Sequence, residues 1–232
     1  MRAGANVRQL IELQRVLAAR VIERDELPDP PRWVAGVDAA FPDRGRTTRA
    51  AAVLMRFPGL ETVAEAVHEQ ATVLPYIPGL LSFRELPAVV EALARLPALP
   101  DLVLCDGQGR AHPRRFGIAC HLGVSTGLAT IGVGKTRLCG RHAEPGTEKG
   151  ESAELIDGDQ RIGRVLRSRS GVRPIYISVG HRVSLDTATR LVLACTPRFR
   201  LPEPIRRADR LAGSREQAGG VVAAQSSSRC SR

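Results

Sequence analysis

The chain has 232 residues, with 34 Lys and Arg against 24 Asp and Glu and a formal net charge of +10. That length suits one sizeable α/β domain, and the charge suits a polyanionic partner as well as an ordinary basic surface. No apolar run is long enough to span a membrane, no secretory signal opens the chain, and five cysteines without a C-x-x-C pair read as reduced thiols of a cytoplasmic protein rather than a disulfide framework.

Val7, Leu10, Ile11, Leu17 and Val21 recur at helical spacing and predict an amphipathic helix over residues 5–24, broken by the prolines of 28–31. Trp33 to Phe41 is an apolar run with a single acid, Asp38, and reads as a buried strand. Ala50–Phe57 and Glu61–Val73 read as two further strands turning at Pro58-Gly59, which makes an antiparallel meander. Pro75-Tyr76-Ile77-Pro78-Gly79 is too heavily punctuated for regular structure. A helix follows to about Arg95, and Pro87 argues that its regular part starts near that residue.

Leu102–Cys105 is a short strand running into Asp106-Gly107-Gln108-Gly109. A helix near 115–125 and a strand at 129–133 come next. Residues 140–160 read as a mobile loop or a small hairpin. Strands at 162–167 and 175–179 and a helix at 185–195 close the pattern. A meander followed by alternating strands and helices describes an α/β fold with a mixed sheet. Residues 213–232 lack hydrophobic periodicity and read as a disordered basic tail behind a single domain over residues 1–212.

The acids carry the chemistry. Asp38 within an apolar strand is costly unless it is paired, hydrogen-bonded or bound to metal. Asp106 lies where a strand meets a glycine loop, where a turn-capping role would suffice for a lone Asp-Gly. Glu85 fits a capping box with Ser82, yet Pro87 argues against a helix start there and frees Glu85 to point elsewhere. Each acid alone has a structural explanation. An acid in the first strand of a meander, one at the next helix and one at the fourth strand's tip recur together in ribonuclease H-like folds, where they hold divalent metal.

Other motifs carry less. Tyr76, in its stiff loop, reads as an exposed wedge able to fill the gap left by a base that leaves its stack. Only Lys135 and Lys149 are lysines. Gly134-Lys135-Thr136 mimics the end of a phosphate-binding loop, but that motif needs glycine where Ala129 stands, so a nucleoside triphosphatase is rejected. Cys139 and His142 have ligand-like spacing with no second pair to complete a zinc site. His181 reads as structural.

The blocks V-A-G-V-D-A-A-F around Asp38, P-Y-I-P-G-L-L-S-F-R-E from Pro75 to Glu85 and D-G-Q-G-R-A-H-P-R-R from Asp106 to Arg115 resemble the endonuclease V family. I-G-V-G-K-T around Lys135, S-V-G-H-R-V-S-L from Ser178 and L-P-E-P-I-R-R-A-D ending at Asp209 continue the likeness, in order, over residues 5–212. Gln108 departs from the family's common His, and the tail has no counterpart.

The resemblance implies a ribonuclease H-like mixed sheet with helices on both faces. It implies an Mg²⁺-dependent DNA repair endonuclease, with Mn²⁺ as a substitute, that acts as a monomer on deaminated bases, chiefly deoxyinosine. The cut falls at the second phosphodiester bond on the 3′ side, leaving 3′-hydroxyl and 5′-phosphate ends. Asp38, Glu85 and Asp106 are then the metal ligands, with Asp209 in a fourth position. Lys135 and His112 join the acids in catalysis. Tyr76 is the wedge, flanked by Pro75, Ile77 and Pro78, and Gly79, Leu81, Gly107, Gly109 and Ile118 wall the base pocket. An inosine-specific endoribonuclease and a non-catalytic binder of deaminated nucleic acid are the alternatives.

Overall fold

The computed structural model describes residues 7–214 together with the backbone of Val222 and Ala223. A mixed sheet forms the centre, in the order β6-β7-β8-β5-β4-β1-β2-β3-β9. The expected meander is β1 (Trp33–Ala40), β2 (Thr47–Arg56) and β3 (Glu61–Ala71), paired antiparallel. Between β1 and β2 lies a single turn, α2 (Pro42–Gly45). β4 (Leu102–Asp106) and β5 (Thr130–Gly134) then run parallel to β1. β8 (Ile175–His181) returns antiparallel to β5 and carries the hairpin of β6 (Ser152–Asp157) and β7 (Gln160–Leu166). β9 (Val222–Ala223) pairs with Ala64 and Glu65 of β3.

Alternation along the central strands feeds two cores. Ala35, Val37, Val103 and Cys105 point to one face, where α3 (Leu81–Ala94) and α4 (Ile118–Thr126) cover them. Val34, Leu102 and Leu104 point to the other, under α5 (Leu185–Ala194) and α6 (Glu203–Gly213). Both faces being apolar is why these strands read as continuous hydrophobic runs. The ribonuclease H-like arrangement with helices on both faces is therefore the observed fold.

Several boundaries differ from the sequence expectation. α1 (Val7–Ala18) stops early, because the chain beyond it bonds to the end of β8: Ile22 N–H donates to His181 Nδ1, and Arg182 N–H to the Ile22 carbonyl. α3 starts at Leu81, not near Pro87, which lies inside the helix. Proline there forfeits one backbone bond, but Ala88, Val89, Ala92 and Leu93 are buried against the sheet, and that packing outweighs the local preference. The 140–160 region resolves into strand β6 of a hairpin, and α6 had no counterpart in the sequence reading. Except for Gly213 at the end of α6, Ser214 and the short β9, the expected tail lies outside the described residues. No helix among the described residues is long and apolar enough to cross a membrane.

Candidate metal centre and adjoining cavity

Register explains why two of the acids meet. Val37 pairs with Cys105 across the parallel β1–β4 ladder, so the next residues, Asp38 and Asp106, come side by side at the carboxyl ends of adjacent strands. Strands in a sheet lie about 4.8 Å apart, and both side chains share the parity of Val34 and Leu104, which face α6. The third acid arrives from that helix. Gly36 has no side chain, and a Cβ there would run into the backbone of Pro204, so α6 packs directly on β1. Asp209 lies on the same helix beyond this contact. Carboxylate oxygens of Asp38, Asp106 and Asp209 all fall within 4.8 Å of one another.

The charges in this cluster are poorly balanced. Burial raises the Asp38 carboxyl to about 7, with the Asp106 charge pushing the same way. Burial also raises Asp106, against the pull of Lys135. Lys135 follows β5, and its Nζ lies 2.6 Å from Asp106 Oδ2 and 2.9 Å from Asp209 Oδ1. Burial disfavours that ammonium, but the bonds to both acids outweigh it and hold the lysine above its ordinary range. Hard oxygen donors, crowded and partly desolvated with a cation between them, are the donor set that a divalent metal ion satisfies.

Glu85 stands apart from this trio. It lies in the second turn of α3 on the opposite face of the sheet, outside the group of mutually close oxygens. It remains electrostatically coupled to it. Burial first, then the charges of Asp38 and Asp106, raise Glu85 to about 8. Asp209 is thus drawn into the cluster more tightly than Glu85.

A cavity of about 190 Å³ opens beside the acids, with Glu85 and Asp106 in its wall. Gly79, Leu81, Gly107 and Ile118 line it. Gly107 has φ +149°, and a Cβ there would come within 2.7 Å of Ile118, so glycine keeps this wall open. Gly109 is not in the wall. It packs against β8 and donates its N–H to Ser178 Oγ at 2.9 Å. Tyr76 borders the cavity and is 66 % exposed, with Pro75 and Pro78 also exposed and Ile77 half-buried.

The loop carrying Tyr76 is fastened at its far end. Gln14 of α1 is fully buried and donates to the carbonyls of Gly79 and Phe116, both at 3.0 Å. Arg114 bonds to Gln14 Oε1 and to the Gly79 carbonyl, each at 2.6 Å. His112 lies in the cavity wall and is buried, with Nδ1 accepting from Arg114 N–H at 3.1 Å. Burial and the charge of Arg114 lower it to about 4, so it is neutral at physiological pH.

Some participants escaped the sequence reading. Arg200 donates to the carbonyls of Lys135, Arg173 and Pro174 at 2.6–3.0 Å and so fixes the backbone beside the acids. Ser82 and Leu138 also line the cavity. Arg84 rests on the Phe41 ring, 3.8 Å from its centroid, and bonds to the Gly45 carbonyl. Only the position of Ser82 and Arg84 inside the densest motif could have marked them. His181 is buried and anchors the segment after α1. His142 packs edge-on to Tyr176, and Cys139 is half-buried with no bridge.

The model of the Endonuclease V family matches residues 15–210. Endonuclease V of Azotobacter vinelandii is 58 % identical over 203 residues, covering 88 % of this chain and 91 % of the relative. The crystal structure of Endonuclease V from Streptomyces avermitilis matches with a TM-score of 0.86 and 47 % identity over 91 % of this chain and 94 % of that one. A structure of Ciona intestinalis Endonuclease V in complex with a 24mer DNA containing an inosine followed by a ribo-adenosine matches with a TM-score of 0.77 and 26 % identity, covering 89 % and 95 % of the two chains.

Proposed function

We propose that this chain, which belongs to the endonuclease V family, is a repair endonuclease that captures a deaminated base, chiefly hypoxanthine, and hydrolyses the second phosphodiester bond on its 3′ side. The observation that carries this reading is the convergence of Asp38, Asp106 and Asp209 beside a cavity bordered by exposed Tyr76. The Ciona relative's complex with inosine-containing DNA supports the choice of base.

In this reading Asp38, Asp106 and Asp209 hold Mg²⁺, or Mn²⁺ in its place, and Glu85 completes the acidic set from α3. A divalent ion, when bound, supplies the Lewis acidity that eases deprotonation of water and stabilises the leaving oxygen. Lys135 contributes positive charge where the phosphate gains negative charge. Neutral His112, bonded to Arg114 N–H and to the Gly79 backbone, positions the loops beside the phosphate rather than giving a proton. Tyr76 fills the stack as the base leaves, and Gly79, Leu81, Gly107 and Ile118 receive the base. Residues 1–212 form the catalytic unit.

The test is incubation of an end-labelled duplex carrying one deoxyinosine with Mg²⁺ or with chelator, followed by mapping of the product. One cut displaced to the 3′ side, abolished by chelator, is expected. Cutting that ignores the base or survives chelation sinks the reading. An inosine-containing RNA in the same assay tests the second reading, an endoribonuclease, which the ribo-adenosine in the Ciona complex favours.

A further inference from the structure

Ser82 lies in the first turn of α3 and lines the cavity next to Leu81, yet it is only 4 % exposed. Its Oγ is 3.1 Å from Nδ1 of His121 on α4, itself 6 % exposed. Two rings clamp this imidazole: Phe83 edge-on at 4.7 Å between centroids, and Phe116 tilted at 5.2 Å. Burial alone lowers His121 to about 4, which leaves it neutral at physiological pH. The pair is a clamped, uncharged hydrogen-bonding unit behind the pocket wall.

The other polar side chains of the wall are engaged elsewhere or closed off, apart from exposed Tyr76 at its border. Glu85 and Asp106 belong to the acidic set. The Gln108 amide lies against Gly134 and donates to the Thr136 carbonyl at 3.0 Å, and its unpartnered Oε1 is buried, out of reach of a molecule in the cavity. His112 spends Nδ1 on Arg114 N–H. Ser82 remains, and its polarity follows from its partner. A neutral imidazole has one N–H and one bare nitrogen, and the arrangement considered has the proton on Nε2. Nδ1 then accepts the single hydroxyl proton of Ser82. The lone pairs of Oγ are left to act as an acceptor.

Adenine and hypoxanthine differ at one edge. Hypoxanthine carries a proton on N1, whereas adenine has a lone pair there. We propose that Ser82, oriented by His121, accepts a hydrogen bond from N1–H of the captured 6-oxopurine and so separates hypoxanthine from adenine. The inference rests on the cavity being the base pocket. Ser82 then determines specificity, and His121 is a positioning residue acting through it.

The test is equilibrium binding, with Ca²⁺ in place of Mg²⁺ to suppress turnover. The duplexes carry deoxyinosine, deoxyadenosine or deoxynebularine at one position, the last being a purine with neither the 6-oxo group nor N1–H. In S82A the preference for inosine over adenosine should fall by about 3- to 10-fold, the range of one buried hydrogen bond. Nebularine binding should stay within about twofold of the parent's, because that base offers no N1 proton to lose. S82T keeps the hydroxyl and should keep the preference. H121F should lower the preference, and adding S82A to H121F should lower it little further, since the two act as one unit. Thermal melting reports folding, and S82C, a nearly isosteric weak acceptor, stands in if S82A fails to fold. A parent that prefers inosine while S82A or S82C keeps that preference overturns the inference alone. A parent that binds inosine and adenosine alike overturns the base-pocket reading, and this one with it.

Discussion

In the proposed function, removal of one carboxylate from the trio leaves a cation site short of a donor. Asp38→Ala and Asp106→Ala should therefore lower cutting of a deoxyinosine duplex by about a hundredfold or more, in proteins whose circular dichroism matches the parent. Asp209 is exposed and comes from a separate helix, so Asp209→Ala should raise the Mg²⁺ concentration needed for half-maximal cutting more than it lowers the maximum. Unchanged metal titration in that variant would remove Asp209 from the ligands. In the proposed function Tyr76 acts on binding instead. Base–aromatic stacking is worth about 1–3 kcal/mol, so Tyr76→Ala should weaken binding of the lesion by about ten- to a hundredfold. Tyr76→Phe should hold most of the affinity. Parent-like binding by Tyr76→Ala would return the ring to a packing role. Asp38 and Asp106 were legible as residues because an acid in an apolar strand needs a reason. Ser82 and His121 were not, because a serine near a helix start and a histidine in an apolar helix each have an ordinary explanation until the contact between them is seen.

At the scale of elements, the site depends on how closely α6 approaches β1. A methyl group at Gly36 must displace the helix, because the atoms it meets belong to the Pro204 backbone and not to a flexible side chain. Gly36→Ala should cost about 1–3 kcal/mol of stability and weaken metal binding as Asp209 moves away. Calorimetry of metal binding alongside a denaturant melt checks both, and a variant with parent-like metal affinity would show that α6 does not set the third ligand. The strands were readable because their two-sided burial leaves long apolar runs. α6 was not, since Pro202 and Pro204 and its arginines resemble a polar loop until its narrow apolar stripe, Ile205, Ala208 and Ala212, meets the sheet. The start of α3 was misplaced for the converse reason: Pro87 is a strong local signal that sheet packing overrides.

At the scale of the molecule, the raised carboxyls tie stability to pH. Asp38 titrates near 7 and Glu85 near 8 in the folded chain, far above their ordinary values of 3.8 and 4.5. The folded state therefore binds protons that the unfolded state has released, and stability is lost as pH rises from about 4 through about 8. Metal-free protein should be more resistant to denaturant at pH 5 than at pH 8, as far as these groups decide it, and Mg²⁺ should recover the loss at pH 8. Asp38→Asn should flatten the pH dependence, and an Asp38→Asn profile that matches the parent's would show that this carboxyl does not carry it.

The ammonium of Lys135, held between Asp106 and Asp209, makes the acid cluster an internal salt with its own counterion. Such a counterion offsets the repulsion among the acids in the folded chain, and in the proposed function it competes with the metal for the same oxygens. Lys135→Met, similar in length and uncharged, should tighten Mg²⁺ binding by about tenfold or more, since a nearby unit charge is removed, while slowing cutting. The same variant should be less stable than the parent without metal at pH 8. Weaker metal binding in Lys135→Met would mean that the lysine organises the carboxylates more than it competes for them. With tighter binding and slower cutting in Lys135→Met, affinity for the ion and speed on the phosphate are set against each other at a single side chain, and the protein holds its metal more loosely than its acids alone would allow.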